Sequence, residues 1–256
     1  MTSFYLVPSD GVVPLPKFLP GQYVSLQLMV PQLGYLQSRQ YSLSEAPRAI
    51  GQYYRISVKR DEGEKPGVPG IISNMLTTEY QVGSEVELSH PQGEFTVDPY
   101  DHSKQGVPAV LISAGVGATP LMSILGSFVP RAGEPRPEPR PLSWIHAARS
   151  STAQPFREEV KQICRDNENV SVSVFLNSTG PDDKRGEDYD FVNEFLDLSK
   201  VDKEKDLHLG DRRTEYFICG SELFMVNIRR KLVSMGVDRD RIFLELFATG
   251  NVREDL

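Results

Sequence analysis

The sequence has only two cysteines in 256 residues, Cys164 and Cys219, too few for a disulfide framework or a cysteine-built metal site. Its four histidines, His90, His102, His146 and His208, are scattered without ligand spacing, so no protein metal site is expected. Basic residues are outnumbered: 28 Lys and Arg against 35 Asp and Glu give a formal charge of −7. That balance lacks the footprint of a nucleic-acid binder and disfavours adsorption to an anionic lipid surface. Long apolar runs are missing too. None approaches the roughly 18 residues needed to span a bilayer. The stretch from Met1 to Asp10 has neither the basic region nor the apolar run of a secretion signal. The expected setting is therefore soluble and cytoplasmic, without membrane insertion or nucleic acid.

What is present falls into two textures. Over the first hundred residues, Gln22–Leu28, Arg55–Arg60 and Glu85–Ser89 alternate apolar and polar side chains, the period of half-buried strands. Turn-formers at Pro20-Gly21, Glu45-Ala-Pro47, Asp61-Glu-Gly63 and Pro91-Gln-Gly93 separate them. That pattern predicts a small antiparallel barrel or sandwich. Past Asp98–Gly106, apolar strands at Ala109–Ser113, Leu142–His146, Val170–Phe175, Tyr216–Cys219 and Ile242–Phe247 alternate with helical spacings. Phe156, Val160 and Ile163 share one helix face; Met225, Ile228, Leu232 and Met235 share another, with Gly236 placed to end that helix. Strand–helix alternation predicts a parallel α/β sheet. Two domains are expected, residues 1–103 and 104–256. Arg131–Pro141 is too proline-dense for a helix or central strand, and Thr179–Lys205 reads as a solvated loop with one short helix.

Five segments carry chemistry. In Arg39-Gln-Tyr-Ser-Leu-Ser44, a strand puts Arg39 and Tyr41 on one face and Ser42 on the other. A guanidinium for phosphate, a ring to stack and a hydroxyl donor suit a flavin, though an ordinary exposed strand has the same spacing. Gly70-Ile-Ile-Ser-Asn74 offers free amides at a helix start, either a pyrophosphate cradle or a plain capped helix. In Ser113-Ala-Gly-Val-Gly-Ala-Thr-Pro120 a strand runs through two glycines into a helix, with proline in the first turn. This is not the G-x-G-x-x-G fingerprint: Pro120 stands at the third glycine, and no acidic ribose-binding residue follows at the expected distance. It reads as another kind of phosphate loop, or as a tight strand–helix turn. Tyr216-Phe-Ile-Cys-Gly220 ends a buried strand at the sheet edge where α/β proteins bind ligands, although a buried cysteine is commonly filler. Finally, Glu245 and Phe247 end the last strand; packing explains the phenylalanine better than the carboxylate.

In this order the segments resemble the ferredoxin–NADP reductase superfamily, and within it the reductase part of flavohaemoglobins. The resemblance runs from Pro20-Gly-Gln-Tyr23 to Phe247, through Arg39–Ser44, Tyr54-Arg-Ile-Ser-Val-Lys-Arg60, Ile112–Pro120 and Leu196-Asp-Leu-Ser-Lys200. It implies an antiparallel FAD-binding barrel followed by a Rossmann-like NAD(P)-binding domain. Tyr23 and the Arg39-Gln40 pair would contact FAD, with Arg39 on its phosphates. Tyr41 would stack on the flavin and Ser42 would sit near N5. Val58 and Lys59 would follow the ribityl chain, and Gly70, Ser73 and Asn74 would cap the pyrophosphate. Gly115, Gly117, Thr119 and Pro120 would line the nicotinamide nucleotide. Cys219 and Gly220 would border the nicotinamide, Glu245 would lie near the flavin edge, and Phe247 would cover the flavin's other face. Tyr41, Ser42, Cys219 and Glu245 are the residues closest to the chemistry.

The departures are specific. The family's Cys-Gly-Pro is Cys219-Gly-Ser221 here, and its Phe-Gly-Pro is Phe247-Ala-Thr249. The sequence begins at about the family's second barrel strand, which would leave an open edge, as expected of a fragment, a truncated gene or an edge that a partner covers, and it contains no globin domain. An arginine with hydroxyls in Arg149-Ser-Ser151 suits a 2′-phosphate, so NADPH is expected to serve at least as well as NADH. The leading reading is an FAD-dependent NAD(P)H reductase feeding a separate haem protein, oxygenase or small-molecule acceptor. The competing reading is a non-redox sensor or scaffold that reuses the same pocket.

Overall fold

The period-2 alternation of the first ninety residues becomes antiparallel pairing. The computed structural model describes residues 1–48, 53–63, 69–133, 135–192 and 195–247. Strands β2 (Tyr23–Val30) and β3 (Tyr35–Ser42) form a hairpin in register from Tyr23 opposite Ser42 to Val30 opposite Tyr35. Its turn needs a left-handed residue, supplied by Gly34 at φ 71°. Val24, Leu26, Leu28 and Val30 all point inward from β2. Strand β1 (Thr2–Leu6) pairs with β4 (Tyr54–Val58), and β5 (Glu87–Leu88) pairs with β2. A bridge between Leu43 and Ile56 joins the two sheets. Helix α1 (Ile71–Thr78) drops Ile72, Met75 and Leu76 onto the same core.

The strands after residue 108 are parallel. β6 (Ala109–Ala114), β7 (Leu142–Ala148), β8 (Val170–Leu176), β9 (Phe191–Val192), β10 (Glu215–Cys219) and β11 (Ile242–Glu245) lie in the order β11-β10-β6-β7-β8-β9. Helices α2 (Ala118–Phe128), α3 (Arg157–Asp166) and α4 (Glu222–Ser234) cover the sheet. The apolar layers on its two faces leave the central strands no wet side, which explains their continuous apolar runs. Helix α4 stops where the spacing predicts, with Gly236 at φ 92° just past its end. The strand order reverses between β6 and β10, so two crossovers diverge there and open a crevice at the carboxyl ends of those strands.

The halves meet along α2. Ser123 donates from Oγ to the Glu45 carbonyl at 2.9 Å, Arg131 donates to the Pro47 carbonyl at 2.8 Å, and Phe95 packs edge-on against Phe217 with ring centroids 5.8 Å apart. The architecture is the antiparallel-then-parallel pair that the sequence predicts.

β1 pairs with β4 and turns Phe4 and Leu6 to the core. Two elements differ from expectation. The loop from Thr179 supplies β9, a two-residue edge strand beside β8, too short for any periodic signal, while its short helix is a single 3-10 turn at Leu198–Lys200. The Glu85–Ser89 strand shrinks to Glu87–Leu88. Among the described residues no helix is long and apolar enough to cross a membrane.

Candidate functional site

β6 delivers the chain to the reversal point, where it turns through a 3-10 segment, Gly115–Gly117, directly into α2. Gly115 has φ 54°, and a β-carbon there would meet nothing within 4 Å, so the turn faces open space. Gly117 faces the opposite situation. A β-carbon on it would collide with the Cys219 carbonyl and lie 2.8 Å from the Gly220 nitrogen. The glycine turn after β6 thus packs directly on the end of β10, joining two segments about a hundred residues apart. Thr119 and Pro120 are buried, and Thr119 donates from Oγ1 to the Val116 carbonyl at 3.0 Å. Their side chains shape the turn, which leaves the turn's backbone and Gly115 to meet a nucleotide.

Four polar side chains stand in one row across this edge. Glu245, Cys219, Ser113 and His146 are successive register partners on β11, β10, β6 and β7. Burial pushes the Glu245 carboxyl up to about 7. Burial first, and the neighbouring Glu245 charge second, push the Cys219 thiol well above its ordinary range, so it is a neutral thiol and not a nucleophile. Ser113 Oγ lies 2.8 Å from His146 Nδ1. Burial holds His146 down to about 3, hence uncharged, and its Nε2 has no partner among the described residues. The sequence reading missed this pair because a lone strand histidine gives no spacing signal. Phe247, two residues beyond β11, is 45% exposed, while Ala248 and Thr249 of the altered Phe-Gly-Pro motif lie outside the described residues. Arg149 is exposed just past the end of β7, beside Ser150 and the buried Ser151.

On the front half, β3 carries the motif at its end, with burial rising along it. Arg39 and Gln40 are exposed, Tyr41 is half-buried and Ser42 is buried. Arg39 spends one N–H on the Ser38 carbonyl at 2.7 Å. Burial pushes the Tyr41 phenol up to about 12, with Arg39 pulling the other way; Tyr41 presents a neutral ring. Tyr23 sits opposite Ser42, and its ring would touch a β-carbon at Gly93 at 3.1 Å. Val58 is core, and Lys59 is exposed beyond it. At the start of α1, Gly70 gives no side-chain cap. Ser73 donates to the Gly70 carbonyl at 3.2 Å, and Asn74 donates to the same carbonyl at 2.7 Å and accepts from Arg60 at 2.8 Å. Their side chains pin the helix start, and the Gly70 and Asn74 N–H groups are bonded to the Asp61 and Gly70 carbonyls at 3.1 and 3.2 Å.

These features fit a flavin dinucleotide: a neutral half-buried ring, an exposed guanidinium two residues before it, and a helix start without a side-chain cap. A cavity of about 940 Å³ lined by Glu45, Gly126, Arg131, Pro139 and Glu159 contains none of the candidate residues, so it is not this site. Among the described residues no three His, Cys, Asp or Glu side chains could hold a metal ion.

Comparison with known proteins agrees. Residues 111–230 match the family described as the oxidoreductase NAD-binding domain. A flavohemoprotein of Bordetella pertussis is 41% identical over 252 residues, which are 98% of this chain and 58% of that relative; the chain thus spans little more than half the relative's length. The crystal structure of the flavohem-like FAD/NAD binding domain of nitric oxide dioxygenase from Vibrio cholerae superposes with TM-score 0.76 at 31% identity, covering 95% of this chain and 90% of that one. The cytochrome b5 reductase domain of Ulva prolifera nitrate reductase shares the fold, with TM-score 0.71 at 18% identity over 89% of this chain and 85% of that one. The chain belongs to the ferredoxin–NADP reductase superfamily, in the group formed by the reductase portions of flavohaemoglobins.

Proposed function

We propose that the chain is an FAD-dependent NAD(P)H reductase. It takes hydride from NADH or NADPH and passes electrons to a separate acceptor, a haem protein, an oxygenase or a small molecule. The observation that carries this reading is the contact of the Gly115–Gly117 turn with Cys219-Gly220 at the strand-order reversal, on a sheet packed through α2 against the segment that follows Arg39–Ser42. Residues 1–103 form the flavin domain and 104–256 the dinucleotide domain.

FAD, when bound, supplies the hydride acceptor and the route for electrons onward. The chain supplies position. Arg39 would hold the phosphates beside the α1 start at Gly70, Ser73 and Asn74, where the Gly70 and Asn74 N–H groups are already bonded to the Asp61 and Gly70 carbonyls. Tyr41 would stack on the flavin and Tyr23 would contact the FAD, with Ser42 as the short donor and Gln40, Val58 and Lys59 alongside. The open turn at Gly115 admits the dinucleotide phosphates, with Gly117, Thr119 and Pro120 fixing its shape. Cys219 and Gly220 form a small, uncharged floor for the nicotinamide. Phe247 shields the flavin face until a nicotinamide replaces it. Glu245, half-protonated near neutrality, can hold or release a proton at its carboxyl oxygen beside that floor. Arg149 with Ser150 and Ser151 favours NADPH.

The test is reconstitution. The full chain dialysed against FAD should retain one equivalent, released only on unfolding, and Arg39→Ala should lower that retention. A chain that takes up no FAD under any condition sinks the reading.

A further inference from the structure

A single buried guanidinium ties the two candidate cofactor segments together. Arg55, on β4 of the front half, has a side chain only 7% exposed. Its Nη1 donates to Glu159 Oε2 on α3 at 2.9 Å, and its Nη2 donates to the Ser44 carbonyl. The Glu45 carboxylate stands 3.7 Å from its Nε, and the Phe156 ring lies beneath the guanidinium at 5.2 Å. Phe156, immediately before α3, has φ 55°, a left-handed conformation that is unfavourable for a residue with a β-carbon and so must be held by its surroundings.

The partners lie at telling places in the chain. Ser44 and Glu45 follow directly on Arg39–Ser42. Phe156 and Glu159 stand five and eight residues after Ser151. One planar, forked donor therefore touches the segment after each candidate cofactor site. Ser123 and Arg131 also donate across the interface, to the Glu45 and Pro47 carbonyls, but from α2 and just past its end and not from the segment after Arg149–Ser151; the remaining contacts pack small or apolar groups, such as Gly126 beside Ala46 and Phe95 on Phe217. Such contacts resist separation but have little directional preference. A buried ion pair adds little net stability, because desolvation offsets its attraction. Its forked hydrogen bonds do set direction and distance.

We propose that Arg55, through Glu159 and the Phe156 ring, is a positioning residue that fixes the flavin segment relative to the dinucleotide segment and so governs the hydride-transfer step without governing the binding of either cofactor. The inference rests on the reductase reading, but one arm of its test does not.

Glu159→Gln is the primary variant, since Glu159 is 39% exposed and the change preserves shape; Arg55→Lys, which keeps the charge and loses the fork, is the second. Hydrogen exchange on the FAD-loaded full chain should rise about tenfold at residues 44–47 and 156–160 and stay unchanged in the strands of both cores. Flavin reduction per bound FAD at saturating NAD(P)H should fall about tenfold, the consequence of a sub-ångström misplacement. FAD affinity and the nucleotide KM should stay within about twofold of the parent. Exchange unchanged in both variants overturns the proposal. So does a normal reduction rate per bound flavin, or a rise in KM with kcat intact. A parent protein that binds FAD but is never reduced would sink the reductase reading alone, because the exchange arm still reports on the contact.

Discussion

Gly117 and Cys219 touch backbone to backbone, so closely that a β-carbon on the glycine would collide with the cysteine carbonyl. Gly117→Ala must therefore push β6 from β10, at an overpacking cost of about 1–3 kcal/mol. Gly115→Ala, two residues earlier, meets open space and pays only for its positive φ, about 1–2 kcal/mol. The expected result is a lower Tm for both, with a marked rise in nucleotide KM for Gly117→Ala because the floor at Cys219-Gly220 shifts. Calorimetry and steady-state kinetics on the pair check this.

Arg39 is the exposed cation of the flavin motif. Losing a charge-assisted phosphate contact costs about 1.5–3 kcal/mol, or about 10- to 150-fold in affinity. Arg39→Ala should weaken FAD binding by that factor, measured by equilibrium dialysis, with little change in the stability of the FAD-free chain, since the exposed guanidinium donates only locally, to the neighbouring Ser38 carbonyl, among the described residues.

Glu245 carries a pH signature. Its carboxyl titrates near 7 in the folded chain against 4.5 when unperturbed. Between those values the unfolded chain binds fewer protons, so stability from this group is full below 4.5 and is lost as pH rises through about 7. Glu245→Gln should flatten that slope in unfolding experiments between pH 4.5 and 7.5 and remove an ionisation near 7 from the kcat profile. A profile unchanged by the substitution contradicts the assignment.

His146 acts in the opposite direction. Burial lowers it from 6.5 to about 3, so the unfolded chain takes up the extra proton and stability falls as pH drops from about 6.5 toward 3. His146→Gln, which keeps a hydrogen-bonding partner for Ser113, should reduce acid sensitivity in that window, read as the midpoint of urea unfolding against pH.

Arg149→Ala should lower kcat/KM for NADPH and leave NADH unchanged, because only NADPH presents a 2′-phosphate to the exposed guanidinium. An unchanged ratio of the two values ends the case for NADPH preference.

Much of this was legible in the residues, for physical reasons. Val24 to Val30 alternates because one face of β2 is wet, and Ala109–Ser113 does not because both faces of β6 are covered. The Gly115–Gly117 turn was visible as two glycines between a strand and a proline-bearing helix. Its contact with Cys219 was not, since nothing local in a sequence reports which distant strand end lies against a turn. The Ser113–His146 pair and the Arg55–Glu159 bridge were hidden for the same reason: each joins residues 33 and 104 positions apart, respectively. Ser73 and Asn74 read as anion ligands by type, yet their side chains are occupied by the Gly70 carbonyl and Arg60. β9 failed to show because two residues have no period.

The central claim is that the sheet edge at Gly115 and Cys219 presents a nicotinamide to a flavin held by Arg39 and Tyr41. The most direct measurement is the visible spectrum of the FAD-loaded chain under anaerobic conditions during stepwise addition of NADPH, then NADH. The account predicts loss of the flavin band at about one equivalent of nucleotide and its return when air is admitted. A flavin band that persists through a large excess of both nucleotides would contradict it.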